Sequence, residues 1–122
     1  MSKSPITCHV LDSSIGKPAA GIHVRIQEYH EVGSDAAVFE PYAEGVTDAD
    51  GRCMQLFPKS GDELQQGKLY KVVFKTKEYF ENTGRKCFYP WVEITFELAN
   101  LDEHYHIPLL ISPYSFTTYR GS

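Results

Sequence analysis

Cysteine is scarce in this sequence, and the few that occur are not spaced as pairs. There are three, Cys8, Cys53 and Cys87. An odd number without paired spacing does not form the disulfide framework of a small secreted domain, so we expect free thiols and a reducing compartment. Cys8 falls on the apolar face of an alternating segment, where its expected role is packing.

Long apolar runs and an excess of basic charge are also missing. No apolar run approaches the ~20 residues of a membrane span, so we expect no membrane partner. Residues 1–5 lead into no secretory signal, and the chain does not end in Ser-Lys-Leu. Twelve Lys and Arg against 16 Asp and Glu give a net charge of −4, which disfavours nucleic-acid binding. We expect a cytoplasmic protein, with a peroxisomal location still compatible.

What the sequence does contain is a series of short alternating segments with turn residues between them. A chain of 122 residues, 42% of them hydrophobic, is large enough for one domain with its own core. Gly21–Tyr29 and Pro90–Leu98 alternate clearly, and Asp50-Gly51 is a hairpin signal. About eight such strands predict an all-β sandwich. We place a flexible tail at residues 1–5 and a single domain at residues 6–122.

Three segments deviate from simple alternation. Val38–Val46 contains a proline and predicts an edge strand. Arg52–Phe57 predicts the strand that leaves the Asp-Gly turn. Thr76–Gly84 is the candidate helix, with its first residue as the cap, its last as the end and its aromatic residues docked on the sheets.

The segment from residue 104 to residue 111 has one face that suits neither core nor solvent. Its alternation gives an ordinary core face to Tyr105, Ile107, Leu109 and Ile111. The other face begins with His104 and His106 and continues with Pro108 and Leu110. This conflict marks the region where we expect function. A second copy of the chain, in a symmetric assembly, is the simplest cover for the apolar part of the face.

Four side chains would share this outward face if their strands belong to one sheet: His9, Arg52, His106 and Tyr119. Imidazole acts as a general base near neutral pH. A fixed guanidinium can hold a carbonyl oxygen and stabilise charge that develops on it, and a tyrosine hydroxyl can orient a substrate. Together these residue types offer a base, a group that holds an oxygen and an orienting donor, and they leave open which histidine is the base.

A metal site is the other interpretation of this region. His104-x-His106 on a strand points both rings to one side, which is a spacing used by zinc ligands. Two histidines without a third ligand are too few, so the residues disfavour a metal. The same histidines would be ordinary solvated residues if their strands did not meet.

Several motifs run along nearly the whole chain. They are His9-Val-Leu-Asp12, Gly16-Lys-Pro-Ala19, Thr47-Asp-Ala-Asp-Gly-Arg52, Phe88-Tyr-Pro90, His104-Tyr-His-Ile-Pro-Leu-Leu-Ile-Ser-Pro113 and Tyr119-Arg-Gly-Ser122. By these motifs the chain resembles the 5-hydroxyisourate hydrolases, the enzymatic branch of the transthyretin-like family. The terminal Tyr-Arg-Gly-Ser is typical of the hydrolases and separates them from the hormone-carrying transthyretins.

The resemblance implies a β-sandwich of two four-stranded sheets with one short helix, assembled as a homotetramer, a dimer of dimers with a channel between the dimers. It implies a cyclic amide hydrolase that opens 5-hydroxyisourate, the urate oxidase product, to 2-oxo-4-hydroxy-4-carboxy-5-ureidoimidazoline in purine degradation. The implied catalytic residues are His9, Arg52 and His106, and substrate binding adds Tyr119 and Ser122. The resemblance implies neither a metal nor a cofactor. The alternative is a transthyretin-like carrier of small ligands in the same channel, which would favour an apolar lining.

Overall fold

Two β-sheets stack around a common core in the computed structural model, which describes residues 3–58, 61 and 63–121. Within those residues the chain forms one helix and nine strands. In chain order they are β1 (Ile6–Asp12), β2 (Lys17–Pro18), β3 (His23–Glu31), β4 (Ala37–Val46), β5 (Arg52–Cys53), β6 (Leu69–Phe74), α1 (Thr76–Asn82), β7 (Val92–Glu97), β8 (Tyr105–Ser112) and β9 (Ser115–Thr118). The predicted all-β sandwich with one short helix is confirmed.

The first sheet is built around β1. β8 runs parallel to β1 along its whole length, and β9 pairs antiparallel with the far side of β8. The short strands β2 and β5 pair with different parts of the other edge of β1. Because they share that edge, they fill one strand position, and the sheet is four positions wide.

The second sheet has the strand order β4-β3-β6-β7, and every neighbouring pair is antiparallel. β4 is an edge strand, as its proline predicts, because Pro41 has no N–H to donate. The register with β3 shifts next to this proline, between Ile26 and Gln27. Both sheets are therefore four strands wide, as the resemblance implies.

Alternation buries one side of each central strand. Cys8 and Val10 of β1 meet Val24 of β3 and Leu109 of β8 in the core, and each is at most 1% exposed. Truncating a buried aliphatic side chain such as Leu109 to alanine costs about 2–5 kcal/mol. The core therefore fixes which side of β1 and β8 faces outward.

The strand predicted over Arg52–Phe57 ends at Cys53, because the chain then bonds to the N-terminal segment. The Ser4 N–H donates to the Met54 carbonyl at 2.8 Å. The Ser4 hydroxyl accepts from the Leu56 N–H at 2.8 Å. Ser4, which we placed in the flexible tail, is fully buried. Met1 and Ser2 lie outside the described residues.

The helix starts differently from the prediction. Its N-cap is Lys75, without a side-chain cap, so the prediction that Thr76 caps it is wrong. The Lys75 N–H still donates to His23 of β3, and the Pro90 carbonyl accepts the Lys77 N–H of the first turn. The strand thus passes directly into the helix, which docks through buried Phe80. Among the described residues, no helix is long and apolar enough to cross a membrane.

Candidate active site

Cross-strand register brings three predicted site residues into one row on the outward face of the first sheet. His9 lies opposite Arg52 of β5 on one side and opposite Pro108 of β8 on the other. The register of β8 with β9, continued one residue past Thr118, places Tyr119 opposite Pro108. Directly opposed side chains point to the same face of a sheet. The row therefore runs from Arg52 through His9 and Pro108 to Tyr119.

His106 belongs to a second row beside the first. Thr7 of β1 lies opposite His106, and Gly121 forms a bridge with His106 on its other side. Thr7 and His9 are two residues apart on one strand, so the two rows are neighbours on one face. The structure thus brings His9, Arg52 and His106 together as expected, and their catalytic roles stay a prediction.

A tight turn presents Arg52 at the end of the first row. One carboxylate oxygen of Asp48 accepts the N–H groups of Asp50 and Arg52, both at 2.9 Å. Gly51 has a φ of 77°, and a Cβ there would lie 2.3 Å from the Val10 carbonyl oxygen. Only glycine fits this position. The Asp-Ala-Asp-Gly-Arg motif is therefore the device that holds the arginine beside β1.

The guanidinium of Arg52 is exposed and available to a ligand. Among the described residues it has no hydrogen-bond or ion-pair partner. A planar guanidinium matches carboxylate and carbonyl oxygens and always carries its charge. Arg52 can therefore bind an oxygen that becomes negative during a reaction.

His9 is fixed by the same turn. Its Nε2 lies 3.0 Å from the Asp50 carbonyl oxygen. A carbonyl can only accept, so Nε2 carries the proton and donates it there. The nitrogen of neutral His9 that remains free is Nδ1, next to its own main chain.

His106 is half-buried and is held from below by a residue that sequence reasoning missed. Its Nδ1 lies 2.7 Å from the hydroxyl oxygen of Thr7, and the same oxygen lies 2.8 Å from Nε2 of His104. Thr7 is 0% exposed although it is on the outward face of β1. Alternation could assign it to that face but could not show that two imidazoles cover it.

The surroundings of His106 favour its neutral form. Burial, and after it the positive charge of Arg52, lower the pKa of His106 below its usual 6.5. Burial also lowers the pKa of His104, with a smaller effect from Lys3. His106 is therefore neutral at pH 7 and able to accept a proton, and its Nε2 is the ring nitrogen that Thr7 leaves free.

The C-terminal segment closes over His106. The Gly121 N–H donates to the His106 carbonyl at 2.9 Å. A Cβ on Gly121 would lie 2.7 Å from Cδ2 of His106 and 3.0 Å from Cγ of Pro108. Glycine is required here by this close approach, a role that the terminal motif alone does not reveal.

Tyr119 and Ser122 are placed less directly. The Tyr119 side chain is 59% exposed, and Pro108 separates it from His9 within the row. It borders a small cavity together with His106. Ser122 lies outside the described residues, so its role in binding substrate stays a prediction.

The His104-x-His106 pair does not share a ligand position. The two rings stack at a centroid distance of 6.4 Å, and each directs a nitrogen at the Thr7 hydroxyl. In the described part of the chain no group of three or more His, Cys, Asp or Glu residues could hold a metal ion. Each ring therefore uses one nitrogen in a hydrogen bond with Thr7, which the zinc interpretation does not predict.

Comparison with known proteins gives a match over almost the entire chain. The sequence model of the HIUase/Transthyretin family matches residues 6–121. The chain belongs to this family. It is similar to mouse 5-hydroxyisourate hydrolase, with 38% identity over 119 residues that cover 98% of this chain and 96% of the relative.

Solved structures of the HIUase/Transthyretin family show the same fold. The structure of Klebsiella pneumoniae 5-hydroxyisourate hydrolase covers 100% of both chains, with a TM-score of 0.76 and 31% identity. Sea bream transthyretin in complex with thyroxine covers 97% of this chain and 95% of its own, with a TM-score of 0.80 and 29% identity. Since the family contains hydrolases and a thyroxine binder on one fold, function has to be argued from the site.

Proposed function

We propose that this chain is a cyclic amide hydrolase that opens the ring of 5-hydroxyisourate in the degradation of urate. The observation that carries the proposal is the grouping of His9, Arg52 and neutral His106 in two adjacent rows of one sheet face. These groups supply a base and a cation for a developing oxyanion, which is what amide hydrolysis needs. Relatives named 5-hydroxyisourate hydrolase, at 37–40% identity, support the choice of substrate.

The reaction begins with addition of water to the ring carbonyl next to the hydroxylated carbon. As the water oxygen bonds to that carbon, one water proton passes to a histidine nitrogen and the carbonyl oxygen becomes negative. Arg52 stabilises this oxyanion. The carbon–nitrogen bond of the ring then breaks, and the histidine returns its proton to the leaving nitrogen. The product is 2-oxo-4-hydroxy-4-carboxy-5-ureidoimidazoline, and the histidine regains its starting state.

Each side chain has a share of the rate that substitution can measure. A positioned base contributes about 10²–10⁴ in rate. An oxyanion donor contributes roughly 3–4 kcal/mol to transition-state stabilisation. His106→Asn and Arg52→Ala should therefore each lower kcat/KM at least about a hundredfold. His23 and Arg25, on β3 of the other sheet, offer matched controls: His23→Asn and Arg25→Ala should retain the wild-type rate.

The test follows the ultraviolet absorbance of freshly generated 5-hydroxyisourate, with circular dichroism to confirm that each variant is folded. Wild-type rates in both His106→Asn and Arg52→Ala would refute the assignment. Absence of turnover by the wild-type protein would refute the substrate.

The competing function is that of a carrier of small aromatic ligands. Sea bream transthyretin, which has the same fold, is an example, since its structure contains bound thyroxine. A carrier binds without turnover and is served by an apolar lining. Here the face carries the imidazoles of His9, His104 and His106 and the exposed side chain of Arg52 instead. Saturable thyroxine binding by a protein that leaves 5-hydroxyisourate intact would favour the carrier.

We further propose that the chain assembles as a homotetramer, a dimer of dimers. β7 and β9 are the last strands of their sheets and so leave main-chain groups for pairing. They lie on the same side of the sandwich, because residues of both border one cavity. Exposed aromatic rings lie in or next to these strands: Trp91, directly before β7, is 47% exposed, and Phe116 of β9 is 38% exposed. Pairing of these edge strands with those of a second copy would form the dimer.

The outward face of the first sheet supports the second contact. Leu11 lies opposite Leu110 in a third row beside the candidate site, and both are half-buried in the single chain. Leu110→Glu should weaken assembly and lower activity together. Leu101→Glu, at a residue 50% exposed in a loop, is the control. Analytical ultracentrifugation measures both variants, and a wild-type sedimentation pattern for Leu110→Glu would contradict this interface.

A further inference from the structure

The hydroxyl of Thr7 is the only side-chain group of this residue that can make hydrogen bonds, and it serves two imidazoles. Nδ1 of His106 lies 2.7 Å from it and Nε2 of His104 lies 2.8 Å from it. Thr7 is 0% exposed, so bulk water does not compete for these bonds. If both imidazoles donated to this hydroxyl, its own buried proton would have no acceptor among the side chains it contacts. The hydroxyl therefore accepts from one ring and donates to the other, and the three groups form a hydrogen-bond chain with a direction.

When both rings are neutral, two proton arrangements allow both hydrogen bonds of Thr7 to form. In the first, His106 donates from Nδ1 to Thr7, and Thr7 donates to Nε2 of His104. In the second, the donors and acceptors are reversed, and His106 carries its proton on Nε2. Only the first leaves a lone pair on Nε2 of His106. The second would give His106 a proton where it has to accept one.

We propose that Thr7 and His104 are positioning residues that hold His106 with its proton on Nδ1 and so make Nε2 of His106 the base that takes the proton from water. The proposal rests on the proposed hydrolytic function, and it names the base that the sequence left open. Thr7 and His104 act through His106, and neither contacts the reacting atoms.

The electrostatics of the face keep His106 neutral, which both proton arrangements require. The charged and titratable groups that act on His106 are Arg52 on β5, His9 on β1, His104 on its own strand and Lys3 in the N-terminal segment. The two cations, Arg52 and Lys3, disfavour a positive ring.

His9 is less suited to be the base. Its Nε2, the nitrogen farthest from the main chain, already donates to the Asp50 carbonyl at 3.0 Å. The free nitrogen is Nδ1, which its own Cβ and main chain crowd. His9 therefore fits a substrate-orienting role, and His106 offers Nε2, the ring nitrogen farther from its main chain.

Removing the Thr7 hydroxyl while keeping the shape of the side chain tests the hydrogen-bond chain from His106 through Thr7 to His104. Thr7→Val should lower kcat about 10–100-fold, the size of effect seen when a metal-ligating histidine loses the partner that orients it, with a smaller change in KM. Thr7→Ser restores the hydroxyl and should restore most of the rate. His104→Phe keeps the ring stack, removes the acceptor and should lower kcat in the same direction. Wild-type kcat in both Thr7→Val and His104→Phe would overturn the proposal.

Nitrogen-15 NMR of the histidine side chains reads the tautomer directly, without substrate. In the wild-type protein at neutral pH, His106 should show a protonated Nδ1 and an unprotonated Nε2. In Thr7→Val or His104→Phe that preference should be lost. A wild-type His106 protonated on Nε2 would overturn the proposal even if both variants misfold. If the wild-type tautomer is as expected but 5-hydroxyisourate is not consumed, the proposed function fails and the hydrogen-bond assignment stands.

Discussion

Replacing Gly121 by alanine tests whether the C-terminal segment shapes the candidate site. The added Cβ would lie 2.7 Å from Cδ2 of His106 and 3.0 Å from Cγ of Pro108. The first distance is about 0.7 Å short of the 3.4 Å at which ordinary van der Waals contact begins. Either the imidazole or the segment has to move by that amount.

Moving the imidazole and moving the C-terminal segment have different effects, but each changes the geometry of the candidate site. The ring is tied to Thr7 by a 2.7 Å hydrogen bond, so displacing it stretches that bond. Lifting the segment instead stretches the 2.9 Å bond from the Gly121 N–H to the His106 carbonyl and carries the neighbouring Tyr119 with it. A misplacement of about 1 Å can cost 10²-fold in rate. We therefore expect kcat/KM of Gly121→Ala to fall about 10–100-fold.

Stability should change little in Gly121→Ala, because the segment is terminal and can shift without opening the core. Gly45→Ala is the matched control, since its Cβ would also lie 2.7 Å from a neighbour, the Sγ of buried Cys53. That overlap is in the core and should cost about 1–3 kcal/mol of stability. The assay pairs 5-hydroxyisourate turnover with urea unfolding. Full activity in Gly121→Ala would refute the reasoning.

Three further outcomes follow from the structure. Because burial and Arg52 lower the pKa of His106, kcat/KM should fall in acid with a midpoint below pH 6.5. A pH–rate profile with a higher midpoint would contradict a neutral His106 base. Burial raises the pKa of Asp12, but its bonds to Arg85, Ser14 and Tyr79 outweigh this and hold the pKa below 3.8. Asp12→Asn should therefore destabilise the fold by about 3 kcal/mol at pH 7, measured by urea unfolding, and a cost under about 1 kcal/mol would count against this ion pair. That cost should shrink as the pH falls below 3.8, since the folded state then loses the stability that the depressed pKa supplies. Treatment with a chelator should leave turnover unchanged, and loss of activity that zinc restores would revive the metal interpretation.

Alternation along single strands could be predicted because it depends only on backbone geometry. Alternation predicts both faces of β8, and the structure confirms them: Ile107 and Leu109 are in the core, and His106 is on the outward face. The pairing of strands that are far apart in sequence could not be predicted in this way. β1 and β8 are parallel neighbours almost 100 residues apart in sequence, as Thr7 opposite His106 shows. No local pattern encodes such a contact. The family resemblance implies only that His9 and His106 belong to one site.

The details that were missed depend on neighbours from distant parts of the chain. Thr76 has the residue type of a helix cap, yet Lys75 takes that position because its N–H remains bonded to β3. Thr7 has the alternation of an exposed residue, yet two imidazoles bury it. Residue type gives a local preference, and the tertiary neighbours decide whether it is used.

The mixture of histidines and apolar residues on one face has a physical reason. Two unit charges 4 Å apart interact by about 1 kcal/mol in water but about 4 kcal/mol at the effective dielectric constant of a partly covered protein site. Arg52 is exposed in the single chain, so water weakens its effect on an oxyanion. Leu11 and Leu110 form the adjacent row and favour contact with a second copy. The apolar residues that would attract that copy would also exclude water from the guanidinium, so assembly and catalysis would depend on the same surface.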